Sequence, residues 1–138
     1  MCGIVGYVGS ERASDILISG LKRLEYRGYD SAGVAIHNGT SLRVYKEAGR
    51  ISVLEETLQE DVTQGGMGIA HTRWATHGAP TKLNAHPHTD LLGKFAIVHN
   101  GIIENYLQIS HMLKEHNLHC VTETDSEVIA LLAQHLWD

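Results

Sequence analysis

Ala-Gly-Val-Ala-Ile-His (32–37), Asn38-Gly39-Thr40 and Ser-Leu-Arg-Val-Tyr-Lys (41–46) form the strongest local signal in the chain. Two runs rich in strand-forming residues flank Asn-Gly, so a β-hairpin is predicted, with Gly39 supplying positive φ. Such a pair is antiparallel by construction. Outward from it, three more stretches read as strands: 2–9 (CGIVGYVG), 67–74 (MGIAHTRW) and 94–101 (KFAIVHNG). A brief one is expected at 118–121. Helices fall between them. Leu17, Leu21 and Leu24 recur at helical spacing within 13–27, and Gly28 stands where that helix would stop. Ser52 and Glu55 form a capping box ahead of a short helix with Leu54 and Leu58 on one face. Further helices are expected over about 105–116 and from Asp125 or Ser126 onward, where Val128, Leu131, Leu132 and Leu136 are periodic. Strands outnumber helices, which points to an α+β fold with mainly antiparallel sheet.

The 138 residues suit one domain. Eleven Lys and Arg against 16 Asp and Glu leave a net charge of −5, and no basic run appears, so a nucleic-acid partner is not expected. Val128 to Ala133 is the longest apolar run, well short of the roughly 18 residues that span a bilayer. Met1-Cys2-Gly3 opens neither a secretory signal nor a myristoylation site, so no membrane partner is expected either. Two cysteines, Cys2 and Cys120, can build neither a disulfide framework nor a four-thiolate zinc site. A soluble chain in a reducing compartment is the expectation. The chain stops in or just after its last amphipathic helix, as though the domain were cut.

Cys2 is the unusual position. Removal of Met1 would leave one residue carrying both a thiol and a free α-amine. A free thiol titrates near 8.5 and an α-amine at about 7.7–8.0, so moving the proton from sulfur to nitrogen costs only about 1 kcal/mol. An incidental cysteine in a buried strand is the plainer alternative. Asn100 and Gly101 end a strand and offer a side-chain amide and a backbone N–H, the two donors an oxyanion requires, although Asn-Gly also makes ordinary turns. His71 to Gly78 (HTRWATHG) packs cationic, aromatic and hydroxyl groups into eight residues. Arg73 could fork onto a carboxylate there and Trp74 could close over a small ligand, or the stretch is simply an exposed loop. Asp125 or Ser126 could cap the last helix, or Asp125 could form an anionic socket for an ammonium group. His71, His77, His86, His88 and His99 raise a metal site as an alternative, but no HExxH or CxxC spacing supports one. Bonds from these rings to backbone and hydroxyl groups are the expectation.

In order along the chain stand Cys2-Gly3-Ile4-Val5-Gly6, Leu24-Glu25-Tyr26-Arg27-Gly28-Tyr29-Asp30-Ser31-Ala32-Gly33 and HTRWATHG from 71. Asn84-Ala85-His86-Pro87-His88, HNGIIENY from 99 and Glu123-Thr124-Asp125 follow. Together these six motifs closely resemble the glutaminase domain of class II glutamine amidotransferases, a family of N-terminal-nucleophile hydrolases. Tyr29 and the intact HTRWATHG favour the hexosamine branch, whose members aminate fructose 6-phosphate to glucosamine 6-phosphate. The resemblance implies an αββα sandwich, incomplete at its C-terminus within residues 1–138 and without the sugar-isomerase domains. It implies that Cys2, freed of Met1, attacks the side-chain amide of L-glutamine while Asn100 and Gly101 hold the oxyanion. Arg73 would pair with the glutamine α-carboxylate and Asp125 with its α-ammonium. Thr76 and His77 would finish the pocket, Trp74 would stand near its mouth, and Arg27 and Gly28 would support the N-terminus. The resemblance implies no cofactor or metal, and a cytoplasmic, homo-oligomeric parent serving hexosamine and UDP-N-acetylglucosamine synthesis. Competing expectations are another class II amidotransferase such as amidophosphoribosyltransferase, a noncatalytic metal-binding module, and self-association through unpaired sheet edges.

Overall fold

A computed structural model describes residues 2–60, 65–74 and 78–137. Strands β1 (Gly3–Val8), β2 (Ser31–His37), β3 (Leu42–Ala48) and β4 (Met67–Arg73) form an antiparallel sheet in the order β1-β4-β2-β3. The hairpin is present, with β2 and β3 paired from His37↔Leu42 to Ser31↔Ala48. Its turn works through the asparagine side chain. Asn38 Oδ1 accepts from the Thr40 N–H at 3.0 Å, the Thr40 hydroxyl at 2.9 Å and the Ser41 N–H at 2.8 Å, while Gly39 takes φ +100°.

Period-two alternation gives this sheet two different faces. Ala32, Val34, Ile36 and Ala70 point toward α1 (Ala13–Leu24) and α2 (Ile51–Glu60), where they pack with Leu17, Leu21, Ile51 and Leu54. A 3-10 turn, Glu25–Arg27, follows α1 and stops at Gly28 with φ +79°, as the glycine predicts. The expected capping box is not formed. Helix α2 opens one residue before Ser52, the Ile51 N–H donates to the Tyr29 hydroxyl at 2.8 Å, and Glu55 reaches Lys22 on α1 at 2.9 Å.

The opposite face meets a second layer: β5 (His88–Thr89), β6 (Ala96–Ile97), α3 (Tyr106–Glu115) and α4 (Glu127–Trp137). Helices α3 and α4 pack on each other around Leu113, Leu118, Val128 and Leu131, and α4 covers β5 and β6. The order of layers is helix, sheet, sheet, helix, the antiparallel α+β sandwich. Strand β6 is shorter than 94–101 suggests, because β5, to which it is paired, is two residues long. Residues 118–121 form no strand. The N–H groups of Val121 and Thr122 donate to the Glu127 carboxylate at 2.9 and 2.8 Å, and Leu118 N–H caps α3 by donating to Leu113 O at 2.9 Å. Among the described residues no helix is long and apolar enough to cross a membrane.

Candidate active site

The register Gly3↔Thr72 sets the geometry around Cys2. Continued by one residue, it brings Cys2 opposite Arg73, on the sheet face turned away from α1 and α2. The Gly3 N–H donates to Thr72 Oγ1 at 3.0 Å and anchors the strand end. The Trp74 N–H then donates to Cys2 Sγ at 3.2 Å, an interaction that favours developing thiolate. A Cβ on residue 28 would lie 3.3 Å from the Trp74 ring, so Gly28 lets the indole settle against the 3-10 turn. Arg27 ends that turn and is exposed.

A narrow pocket of about 40 Å³ brings Cys2, Arg73, Trp74, Asn100, Gly101 and Asp125 together, with His71, His86, His99, Thr124 and Ser126 in its walls. The Asn100 amide is oriented at both ends. Its Oδ1 accepts from His71 Nε2 at 2.7 Å, which turns Nδ2 toward Cys2, where it donates to the Cys2 carbonyl at 3.2 Å. Gly101 follows with φ +143°, a conformation an L-residue rarely adopts. The Arg73 side chain is buried, its Nη1 donating to Ala79 O at 2.8 Å and Nη2 to Gly78 O at 3.1 Å. Asp125 is also buried, and its Oδ2 accepts from the Ile103 N–H at 2.7 Å. At the start of α4 the Asp125 and Ser126 carbonyls accept from the Val128 and Ile129 N–H groups at 3.2 and 3.1 Å. Asp125 holds the segment after Gly101, and Ser126 Oγ meets His99 Nδ1 at 3.0 Å. Thr76 and His77 lie outside the described residues.

Behind the pocket runs a stack of imidazoles that only the tertiary structure reveals. The His71 and His86 rings lie 4.2 Å apart at 19°, and His88 stands 4.4 Å beyond His86. Two of the three rings have partners of the kind expected from sequence: His86 Nδ1 accepts from the His99 N–H at 3.4 Å, and His88 Nε2 meets Thr124 Oγ1 at 2.7 Å. His71 instead bonds to the Asn100 amide, and the Nδ1 atoms of His71 and His88 are buried without a partner among the described residues. Burial pushes His71 down to about 4, His86 to about 2 and His88 to about 3, with the neighbouring Arg73 guanidinium deepening the shift of all three. All three are neutral at pH 7, which is what allows the rings to stack. Among the described residues no group of three or more His, Cys, Asp or Glu side chains is arranged to hold a metal ion. A roomier groove of about 440 Å³ lies between α1 and α2, lined by Arg12, Asp15, Lys22 and Glu55, but it contains neither thiol nor imidazole. Chemistry, and not volume, singles out the Cys2 pocket.

Comparison with known proteins points the same way. A family model described as a glutamine amidotransferase domain matches residues 57–137. The chain is 53% identical over 137 residues to the isomerizing glutamine–fructose-6-phosphate aminotransferase of Thermus thermophilus, covering 99% of this chain and 23% of that protein. It is 56% identical over 132 residues to the corresponding Aquifex aeolicus enzyme, covering 96% of this chain and 22% of that one. A solved glutamine phosphoribosylpyrophosphate amidotransferase from B. subtilis, complexed with ADP and GMP, superposes with a TM-score of 0.79 at 28% identity, covering 97% of this chain and 29% of that one. The chain thus spans less than a quarter of the length of the curated relatives it matches.

Proposed function

The chain belongs to the glutamine amidotransferases, and from that premise we infer that it is the glutaminase part of an enzyme that passes glutamine nitrogen to fructose 6-phosphate. The observation that carries the reading is one pocket holding a strand-end thiol, an amide donor and two opposite charges: Cys2, Asn100, Arg73 and Asp125. Opposed charges suit the two ends of an α-amino acid, and an amide beside a thiol suits a developing oxyanion.

Once Met1 is gone, the Cys2 α-amine accepts the thiol proton. Sulfur attacks the γ-amide carbon of glutamine, and the carbonyl electrons move to oxygen, which accepts hydrogen bonds from Asn100 Nδ2 and the Gly101 N–H. For that to happen Asn100 Nδ2 leaves the Cys2 carbonyl and turns to the substrate. The amine returns the proton to the departing nitrogen, ammonia leaves, and water delivered by the same amine hydrolyses the γ-glutamyl thioester to glutamate. Arg73 takes the α-carboxylate and Asp125 the α-ammonium. Trp74 closes the mouth, Arg27 and Gly28 brace the N-terminus, and Thr76 and His77 are substrate contacts by resemblance alone. In the whole protein, residues 1–138 supply ammonia to sugar-isomerase domains that form glucosamine 6-phosphate for the hexosamine pathway. The parent is a cytoplasmic homo-oligomer. Identities of 53–56% with the fructose-6-phosphate enzymes, against 28% with the phosphoribosylpyrophosphate enzyme, support this branch over the other.

Intact mass of the purified chain before and after exposure to diazo-oxo-norleucine, a cysteine-directed glutamine analogue, tests the reading. A chain lacking Met1 that gains one adduct at Cys2 is the expected result. A processed, folded chain that stays unmodified overturns it.

A further inference from the structure

Asn84 belongs to the Asn-Ala-His-Pro-His motif, yet the chemistry at Cys2 makes no use of it. It is wholly buried, and its amide is fully engaged. Nδ2 donates to Ala79 O at 3.0 Å and to Glu123 Oε1 at 3.1 Å, while Oδ1 accepts from the Glu123 N–H at 2.8 Å. Ala79 O is also the acceptor for Arg73 Nη1 at 2.8 Å. Glu123, in turn, stands two residues before Asp125. One side chain is therefore strung between the support of the pocket's cation and the segment that carries its carboxylate. Gly78 makes the close approach possible: at φ +87°, a Cβ there would sit 3.0 Å from both Asn84 Nδ2 and Glu123 Cβ.

We propose that Asn84 is a positioning residue that sets the spacing of Arg73 and Asp125, and thereby makes the pocket selective for substrates bearing both an α-carboxylate and an α-ammonium. This rests on the function proposed above. A planar guanidinium held by two carbonyls tolerates little rotation before its remaining hydrogens miss a carboxylate. The carbonyls sit on a short loop, and Asn84 is what fastens that loop to residue 123. No other side chain of this size supplies two donors and an acceptor in one plane. Aspartate in its place keeps the acceptor but brings a charge against Ala79 O and Glu123 Oε1, both acceptors. Alanine removes both tethers to residue 123, leaves the Glu123 N–H without its acceptor, and leaves Ala79 O with Arg73 Nη1 alone.

The test compares the wild-type chain with Asn84→Asp and Asn84→Ala, each shown to be folded by circular dichroism. Hydrolysis is measured on glutamine, on glutaramic acid, which lacks the α-amine, and on 4-aminobutanamide, which lacks the α-carboxylate. Both variants are expected to raise KM for glutamine by about tenfold to a hundredfold while kcat stays within about threefold. The preference for glutamine over both analogues should narrow by about tenfold or more. A folded variant with unchanged KM and preference overturns the proposal. So does a variant that loses activity equally on all three substrates, the mark of a merely structural role, or one that loses kcat alone. If neither variant folds, Glu123→Ala removes one bond from the exposed side and is expected to raise KM for glutamine by about threefold. An unchanged KM there overturns the proposal. A wild-type chain lacking Met1 that hydrolyses no glutamine overturns the function proposed above, and this inference with it.

Discussion

Acidification from pH 7 to pH 5 is expected to destabilise the fold by about 6 kcal/mol through three imidazoles. His71, His86 and His88 are held down to about 4, 2 and 3 in the folded chain, burial being the main cause in each. In the unfolded chain each titrates near 6.5. Between those limits the unfolded state binds more protons, so stability rises with pH. It is complete above about pH 6.5 and falls with acid until the folded rings themselves protonate. At pH 5.5 each unfolded ring holds about 0.9 proton and each folded ring almost none, which gives a slope of about 3.7 kcal/mol per pH unit for the three. Integrated from pH 7 to pH 5, each ring contributes about 1.9 kcal/mol, and the sum is comparable with the entire stability of a small domain. Guanidinium unfolding followed by circular dichroism at pH 7, 6 and 5 measures the slope. His86→Phe keeps a flat ring between His71 and His88 and should lower the slope by about 1.2 kcal/mol per unit, one proton fewer. A wild-type slope under about 1.4 kcal/mol per unit, or no change in His86→Phe, would refute the reasoning.

Two further changes probe the pocket and its scaffold. Asn100→Ala removes the side-chain donor facing Cys2 and is expected to lower kcat for glutamine hydrolysis by about a hundredfold to a thousandfold with KM little changed, read from glutamate release. Gly33→Ala would drive a Cβ into the His86 carbonyl and to 3.0 Å from Tyr45 O, both backbone atoms. A loss of about 3 kcal/mol is expected, seen as a lower melting temperature or an insoluble chain, and a melting temperature equal to wild type would show that the two sheets can separate at no cost.

Local signals suffice wherever the physics is local. Asn38 and Gly39 close a hairpin because the bonds that make the turn lie within four residues. Gly28 ends its helix because a positive φ is cheap for glycine alone. Local rules failed where a distant partner outbid a near one. Glu55 leaves Ser52 for Lys22, 33 positions away. Glu127 takes the amides of Val121 and Thr122 in its carboxylate, which leaves that stretch bonded to a helix start instead of to a strand.

Sequence alone gives the available chemistry: a thiol one residue after Met1, an amide next to a glycine N–H, a forked cation, a carboxylate and a family of motifs that occur in order. These are properties of side chains and of short spacings, and they survive without a fold. The tertiary structure decided which of them meet. Cys2 and Asn100 are 98 positions apart, and their contact follows from the pairing of β1 with β4 and the packing of the second layer on that face. The neutrality of the histidine stack and the double attachment of Asn84 are equally invisible in sequence, because both arise from burial among partners that the chain order keeps far apart.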